Sequence, residues 1–333
     1  MTTSTRAVAV ALIVDFAIGA AKLVAFLFTG STAIMAEVLH SAADITNQSL
    51  LVVGIARSRR GPDDDYPYGF GRSRYVWALL SATGVLFIGA GVSVVQGARQ
   101  LWAPEPLAHV RLGLVILLLS AVAEAFSLVI GFSSVKSAAR KTSHSVWQYL
   151  RLGPDPMGVA VVLEDAAAVV GVIFALAGLG LTELTGNAAW DGAASIAIGL
   201  LLGASAIFLI NRNQRFLIGL APPSEKVARM VAVIEDNPVV ARIKDVKVSQ
   251  IGADSVRFKA EVTFDVRELA RRLLATKNVD GTWARLRSSD DLRRLLIEFG
   301  GQVPDAIGDE VDRIEEDLAE VAPETRHVDL EPD

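Results

Sequence analysis

The sequence predicts a polytopic α-helical membrane protein with a small α/β domain at its C-terminal end. Three observations carry this expectation. The chain of 333 residues is 52% hydrophobic, and its mean hydropathy of +0.42 is high for a soluble protein. The apolar residues are concentrated before about residue 211, in runs long enough to cross a bilayer, which takes ~20 mostly apolar residues. From Pro222 onward the composition becomes that of a soluble, charged domain. The expected division is a membrane domain over 1–215 and a soluble domain over 222–333.

Six apolar runs are candidate transmembrane helices: about 7–28, 33–56, 76–98, 110–132, 157–181 and 188–210. The first two are separated only by TGSTA and form a tight helical hairpin. The segment after the second run carries Arg57, Arg59, Arg60, Arg72 and Arg74. The segment after the fourth carries Lys136, Arg140, Lys141 and Arg151, and that after the sixth Arg212 and Arg215. Of the opposite loops, one has Arg99 and Arg111 and the other two have no basic residue. The positive-inside rule then places both termini in the cytoplasm. Small residues recur in the third and sixth runs, in GVLFIGAGVSVVQG and DGAASIAIGLLLGASA, as close helix packing requires.

The tail opens with PPSEKVARMVAVIEDNPVVA, which has Pro, Ser and Glu at a helix start and then apolar residues at helical spacing. Two strands with alternating apolar residues follow, RIKDVKVSQIG and DSVRFKAEVTFDV, joined as a hairpin at GAD. Helical patterns continue at about 266–277, 289–299 and 304–321, and RHVDLE reads as a last strand. The sum is a small α/β sandwich.

Composition excludes several classes. There are no cysteines, so disulfides, thiolate metal sites and cysteine catalysis are absent. The net charge of −5 argues against nucleic-acid binding. No phosphate loop, nucleophile elbow or helical HExxH motif is present, so an enzyme is not expected.

The chemistry lies in ionisable residues inside the apolar runs, where they are costly and face the bundle interior. They are Asp15 and Lys22 in the first run, Glu37, His40 and Asp44 in the second, and Glu124 in the fourth. Glu164 and Asp165 lie in the fifth, and Asp191 stands at the edge of the sixth, where it reads as a cap of its own helix. Glu37, His40, Asp44 and Asn47 recur every three or four residues and share one helical face. An imidazole and a carboxylate at i, i+4 can supply half of a tetrahedral nitrogen and oxygen set that suits Zn²⁺. A structural hydrogen-bonded pair accounts for the same spacing. Spacing alone leaves both open.

The stretch TGSTAIMAEVLHSAADITNQSLLVVGIARSRRGPDDDYPYGFGRSRY resembles the signature region of the cation diffusion facilitators, a family of metal exporters. LEDAAAVVGVIFA, LTGNAAWD, VRFKAEVTFD and EVDRIEEDLAEVAPETRHVDLE extend the resemblance over nearly the whole chain, on the branch of the mitochondrial zinc transporter. The resemblance implies six transmembrane helices, cytoplasmic termini, and a C-terminal cytoplasmic ferredoxin-like domain that makes a homodimer. It implies proton-coupled efflux of a divalent cation, most of all Zn²⁺, by alternating access, with no permanently bound cofactor and no nucleic-acid partner. His40 and Asp44 fall on the family's second-span ligand pair. The fifth-span pattern ADxxHxxxD does not transfer, because Ala168 and Val172 stand where its histidine and last aspartate belong. Asp165 first and Glu164 second are the carboxylates expected to complete the site, with Glu124 or Asp15 as further candidates. Glu37 reads as an entry or gating group and Asn47 as an interhelical hydrogen bond. Tyr66 and Phe70 occupy loop positions where the family often has histidine, and the tail holds only His327, so accessory metal sites are not expected there. The alternatives are a non-transporting membrane scaffold or regulatory dimer, and an exporter of Mn²⁺, Fe²⁺ or Co²⁺. The Ala-, Arg- and Asp-rich text points to a prokaryotic plasma membrane.

Overall fold

The computed structural model describes residues 3–141, 145–152, 156–252 and 255–332; at 3–15, 51, 141, 150–152 and 156–161 it describes the backbone only. Two compact units emerge. One comprises Met1–Pro62 and Arg72–Arg215, the other Asp63–Gly71 and Phe216–Asp333.

The first unit is helical. Helices α1 (Thr3–Thr29) and α2 (Thr32–Ser58) form the hairpin. Next come α3 (Ser73–Gly84) and α4 (Gly91–Trp102), joined by a wider π-type stretch, Val85–Ala90, into one continuous rod. Helix α5 (Val110–Lys141) leads to the short α6 (Val146–Leu152). Helices α7 (Pro156–Thr185) and α8 (Ala189–Ile218) complete the set. Among the described residues, four helical segments are long and apolar enough to cross a membrane: Ser73–Trp102, Val110–Arg140, Val162–Thr185 and Ala189–Ile218. The part of α1 whose side chains are described, Phe16–Thr29, is apolar but shorter. Helix α2 devotes one face to polar groups.

This unit is inside out relative to a soluble protein. Leu119, Val122, Phe126 and Val129 on α5 are each about two-thirds exposed, while Lys22 and Glu37 are fully buried. Water would penalise such an apolar exterior, and hydrocarbon would not. The arrangement is that of a multi-pass membrane protein.

Packing is close where side chains are missing. A Cβ on Gly97 of α4 would stand 2.6 Å from the Gly192 carbonyl oxygen of α8, and one on Gly192 would stand 2.7 Å from the Gly97 oxygen. The two backbones touch there, as small residues permit. Helix α2 contacts α1, α3, α4 and α7, so its polar face is enclosed by neighbours.

The second unit holds a three-stranded sheet in the order β1–β2–β3. After α9 (Ser224–Glu235), β1 (Val240–Gln250) pairs antiparallel with β2 (Val256–Phe264), Val248 opposite Phe258. Turn residues 253 and 254 lie outside the described residues. Helices α10 (Val266–Ala275), α11 (Val279–Trp283) and α12 (Ser289–Val321) follow, and β3 (Thr325–Pro332) returns parallel to β2. A parallel return needs such a crossover. Val256, Phe258, Ala260, Val262 and Phe264 alternate onto the buried face of β2. They meet Met230 and Ile234 of α9, Leu269 of α10, and Ile314 and Leu318 of α12.

One expectation is corrected here. The patterns at 289–299 and 304–321 form a single 33-residue helix with Pro304 inside it. The proline ring crowds the carbonyl four residues back, here that of Gly300, whose Cβ position faces open space. Val303, Ile307, Val311, Ile314 and Leu318 then form one apolar stripe on the sheet. Burial of that stripe holds the helix continuous through the break.

Candidate metal site

Residues of α2 and α7 meet around the predicted pair. His40 is 3% exposed, and its Nε2 lies 3.8 Å from Asp44 Oδ2. That is beyond hydrogen-bond range. Both ring nitrogens are buried without a hydrogen-bond partner. A buried polar group usually has one, so an imidazole with two free nitrogens is the open valence of this region. One turn further along α2, the Asn47 Nδ2 amide donates to Glu164 Oε1 at 2.8 Å and Oε2 at 3.1 Å. Asn47 therefore links α2 to α7. Asp44 and Asp165 lie within coulombic range of Glu164, and Asp165 within that of His40. Ser127 of α5 donates to Asp165 Oδ2 at 3.0 Å.

The geometry thus gathers His40, Asp44, Glu164 and Asp165 into one neighbourhood. Among the described residues, no three His, Asp or Glu side chains stand close enough together to hold a metal ion as they are. The side chain of Asp15 lies outside the described residues.

Glu37 and Glu124 belong to a different constellation. Lys22 Nζ lies 2.7 Å from Glu37 Oε2 and 2.6 Å from Glu124 Oε1. Ser120 donates to the same Glu124 oxygen at 2.9 Å. Three helices, α1, α2 and α5, are joined by one ammonium. Gly171 of α7 leaves room for Glu37, whose Oε1 would collide with a Cβ there. The sequence marked these three charges singly; nothing in their spacing linked residues 22, 37 and 124.

Asp191 does not cap its own helix. It sits in the first turn of α8 but accepts from the start of α2. The donors are Ser31 Oγ at 2.5 Å, Thr32 N at 2.6 Å, Thr32 Oγ1 at 2.8 Å and Ala33 N at 3.3 Å. Unpaired N–H groups and the helix dipole make that end a seat for a carboxylate. Ser31 Oγ in turn accepts from Ile34 N at 3.0 Å. The helix that carries His40 is therefore tied at its first turn to α8.

The cation efflux transmembrane domain matches residues 8–218. The chain belongs to the cation efflux family. It is 40% identical, over 93% of its length, to a Xenopus laevis protein named proton-coupled zinc antiporter SLC30A9, mitochondrial, of which it covers 56%. It is 37% identical over 98% of its length to metal tolerance protein C4 of Arabidopsis thaliana, covering 73% of that protein. A more distant relative is the magnetosome protein MamB of Paramagnetospirillum magneticum, 24% identical over 72% of this chain. The chain spans little more than half the length of the antiporter relatives, 56% of the Xenopus and 55% of the human protein.

Proposed function

We propose that this protein is a proton-coupled divalent-cation efflux transporter, with Zn²⁺ as the main cargo. The observation that carries the reading is His40, buried with both ring nitrogens free and Asp44 one turn away, facing the carboxylates of α7. The names of the antiporter and metal tolerance relatives support it. Side-chain movement brings His40 and Asp44 together with Asp165 and then Glu164 around the ion. A bound metal excludes the imidazole proton, and an imidazole ordinarily titrates near ~6.5, so acid on the release side favours exchange of metal for protons. Carboxylates that always carry metal or proton avoid crossing the membrane as bare charge. Rocking of helices about a site at the membrane middle supplies alternating access.

In this reading α1, α2, the α3–α4 rod, α5, α7 and α8 are the six spans. Both termini are cytoplasmic, the C-terminal unit is a ferredoxin-like dimerisation domain, and the working state is a homodimer. A prokaryotic plasma membrane is the proposed site; the antiporter relatives are named mitochondrial.

The test is Zn²⁺ uptake into proteoliposomes under an imposed pH gradient, for wild type and His40→Ala/Asp44→Ala. Gradient-driven flux that disappears in the double variant supports an exchanger with its site on α2. Undiminished flux places the site elsewhere. A folded wild type that moves none of Zn²⁺, Mn²⁺, Fe²⁺ and Co²⁺ points to the non-transporting scaffold.

A further inference from the structure

The C-terminal unit presents apolar and basic side chains to solvent along residues 274–297. Trp283 of α11 is 74% exposed and Ile297 of α12 is 77% exposed, and Leu274, Val279, Leu292 and Leu296 are exposed as well. The first third of α12 lies outside the core, because the residues of this helix that pack against the sheet begin at Val303. Within that third, Leu292, Leu295, Leu296 and Phe299 recur at i, i+3, i+4 and i+7, the spacing of a helix face that covers an apolar neighbour. Exposed apolar patches of this kind mark interaction sites. Basic groups are interleaved with them. Lys277, Arg285, Arg287, Arg293 and Arg294 are all exposed. The ion pairs of this stretch are those of Arg271 and Arg272 with Glu268, and of Arg272 with Glu310. Among the described residues, the other five basic side chains make none. Charge is also segregated along the unit: residues 266–299 hold eight basic and five acidic side chains, whereas 300–333 hold two basic and twelve acidic.

We propose that residues 274–297 form a docking surface for an anionic lipid bilayer. Trp283, Leu292, Leu296 and Ile297 enter the boundary between headgroups and acyl chains, where tryptophan is favoured. Lys277 and the arginines lay their stems on that apolar layer and reach the lipid phosphates with their charged ends. Segments that lie in a membrane interface combine these two residue classes. Charge complementarity favours lipid over a second copy of the chain. A two-fold contact would set this surface against itself, with arginine opposite arginine and like charges repelling. The acidic half of α12 could answer the arginines of another copy, but its apolar stripe already packs on the sheet, which leaves Trp283 and Ile297 without apolar cover. An anionic bilayer supplies both the negative charge and the hydrocarbon. The chain is itself a multi-pass membrane protein, and only residues 219–223 separate α8 from α9. The tether keeps a bilayer within reach at high effective concentration. The inference goes beyond the transport reading and does not depend on it.

The chain holds no cysteine, so Ile297→Cys admits a single fluorescent label on the full-length protein. The labelled protein is reconstituted into vesicles of phosphatidylcholine alone or of phosphatidylcholine mixed with phosphatidylglycerol, each containing a nitroxide-bearing phospholipid as quencher. Quenching of the label is expected to be about twofold or more stronger in the anionic mixture, since each basic residue near the surface adds to the attraction. It should fall to the phosphatidylcholine level in Arg285→Gln/Arg287→Gln/Arg293→Gln/Arg294→Gln. Added salt should also weaken it in the protein that keeps its arginines, because salt screens exposed charges; this second readout decides the matter if the quadruple variant does not fold. Equal quenching in the two lipids overturns the proposal, as does quenching in the mixture that salt leaves undiminished. A label shielded from acrylamide in both lipids, yet unquenched by the nitroxide lipid, shows that a second copy covers the surface and overturns it as well. No readout involves metal or transport, so failure here leaves the proposed function standing.

Discussion

Removing the Asp191 carboxylate is the sharpest structural test, because the consequence follows from counted hydrogen bonds. In Asp191→Ala, four donors at the start of α2 lose their acceptor. The two hydroxyls can rotate toward other oxygens. The Thr32 amide cannot, and an unsatisfied buried donor costs about 1–3 kcal/mol. Loss of the anion at the helix N-terminus adds about 0.5–2 kcal/mol in a buried setting. The expected destabilisation is about 1.5–5 kcal/mol, within the range for breaking a buried polar network. Asp191→Asn keeps the volume and one acceptor oxygen, and should cost about half as much. The assay is equilibrium unfolding in detergent followed by far-ultraviolet circular dichroism, with amide hydrogen exchange at Thr32 and Ala33 as the local readout. Exchange there should accelerate before it does at the centre of α2. An Asp191→Ala protein within about 0.5 kcal/mol of wild type, with unchanged exchange at both amides, refutes the reasoning. The effect matters for the site, because His40 lies only about 12 Å further along the same helix.

Gly97→Val places side-chain atoms where the Gly192 oxygen stands 2.6 Å from the Cβ position, and should cost about 2–3 kcal/mol or more by forcing α4 from α8; a wild-type unfolding midpoint counts against the contact. Phe258→Ala empties the centre of the sheet's buried face and should destabilise the C-terminal unit by about 3–5 kcal/mol, read by denaturant unfolding of the full chain. Glu315 on α12 has its carboxyl pushed above the ordinary range by burial, then by Asp312 and Asp329. A raised carboxyl pKa in the folded state penalises folding above the unfolded value of ~4.3 and not below it. Glu315→Gln should therefore stabilise the protein at neutral pH and lose that advantage as pH falls below about 4; equal gains at both pH values contradict the assignment.

Much of the architecture was legible because it is local. Runs of apolar residues, the strand alternation from Val256 to Phe264, and the stripe of Glu37, His40, Asp44 and Asn47 are periodic features of single segments. They report which elements form and which face of each is polar. The two short helices Val146–Leu152 and Val279–Trp283 escaped notice, since five to seven residues are too few to show a period. The continuity of α12 across Pro304 escaped as well, because a local breaker was outweighed by burial of the stripe against β2.

Which partner each polar group meets was decided by the tertiary structure. Asp191 and Thr32 are separated by 159 residues, and Lys22 and Glu124 by 102. Nothing in the intervening sequence encodes either pairing. The segment Asp63–Gly71 joins the C-terminal unit, where the Tyr68 ring packs edge-on against His327 at 5.1 Å and carries the Arg257 guanidinium at 4.8 Å. By itself the sequence determined a membrane helical unit, a small α/β unit and a polar stripe on α2, since these follow from composition and period. The tertiary structure alone decided that Glu37 answers Lys22 while His40 stays free, because hydrogen bonds and ion pairs depend on which helix faces are packed together.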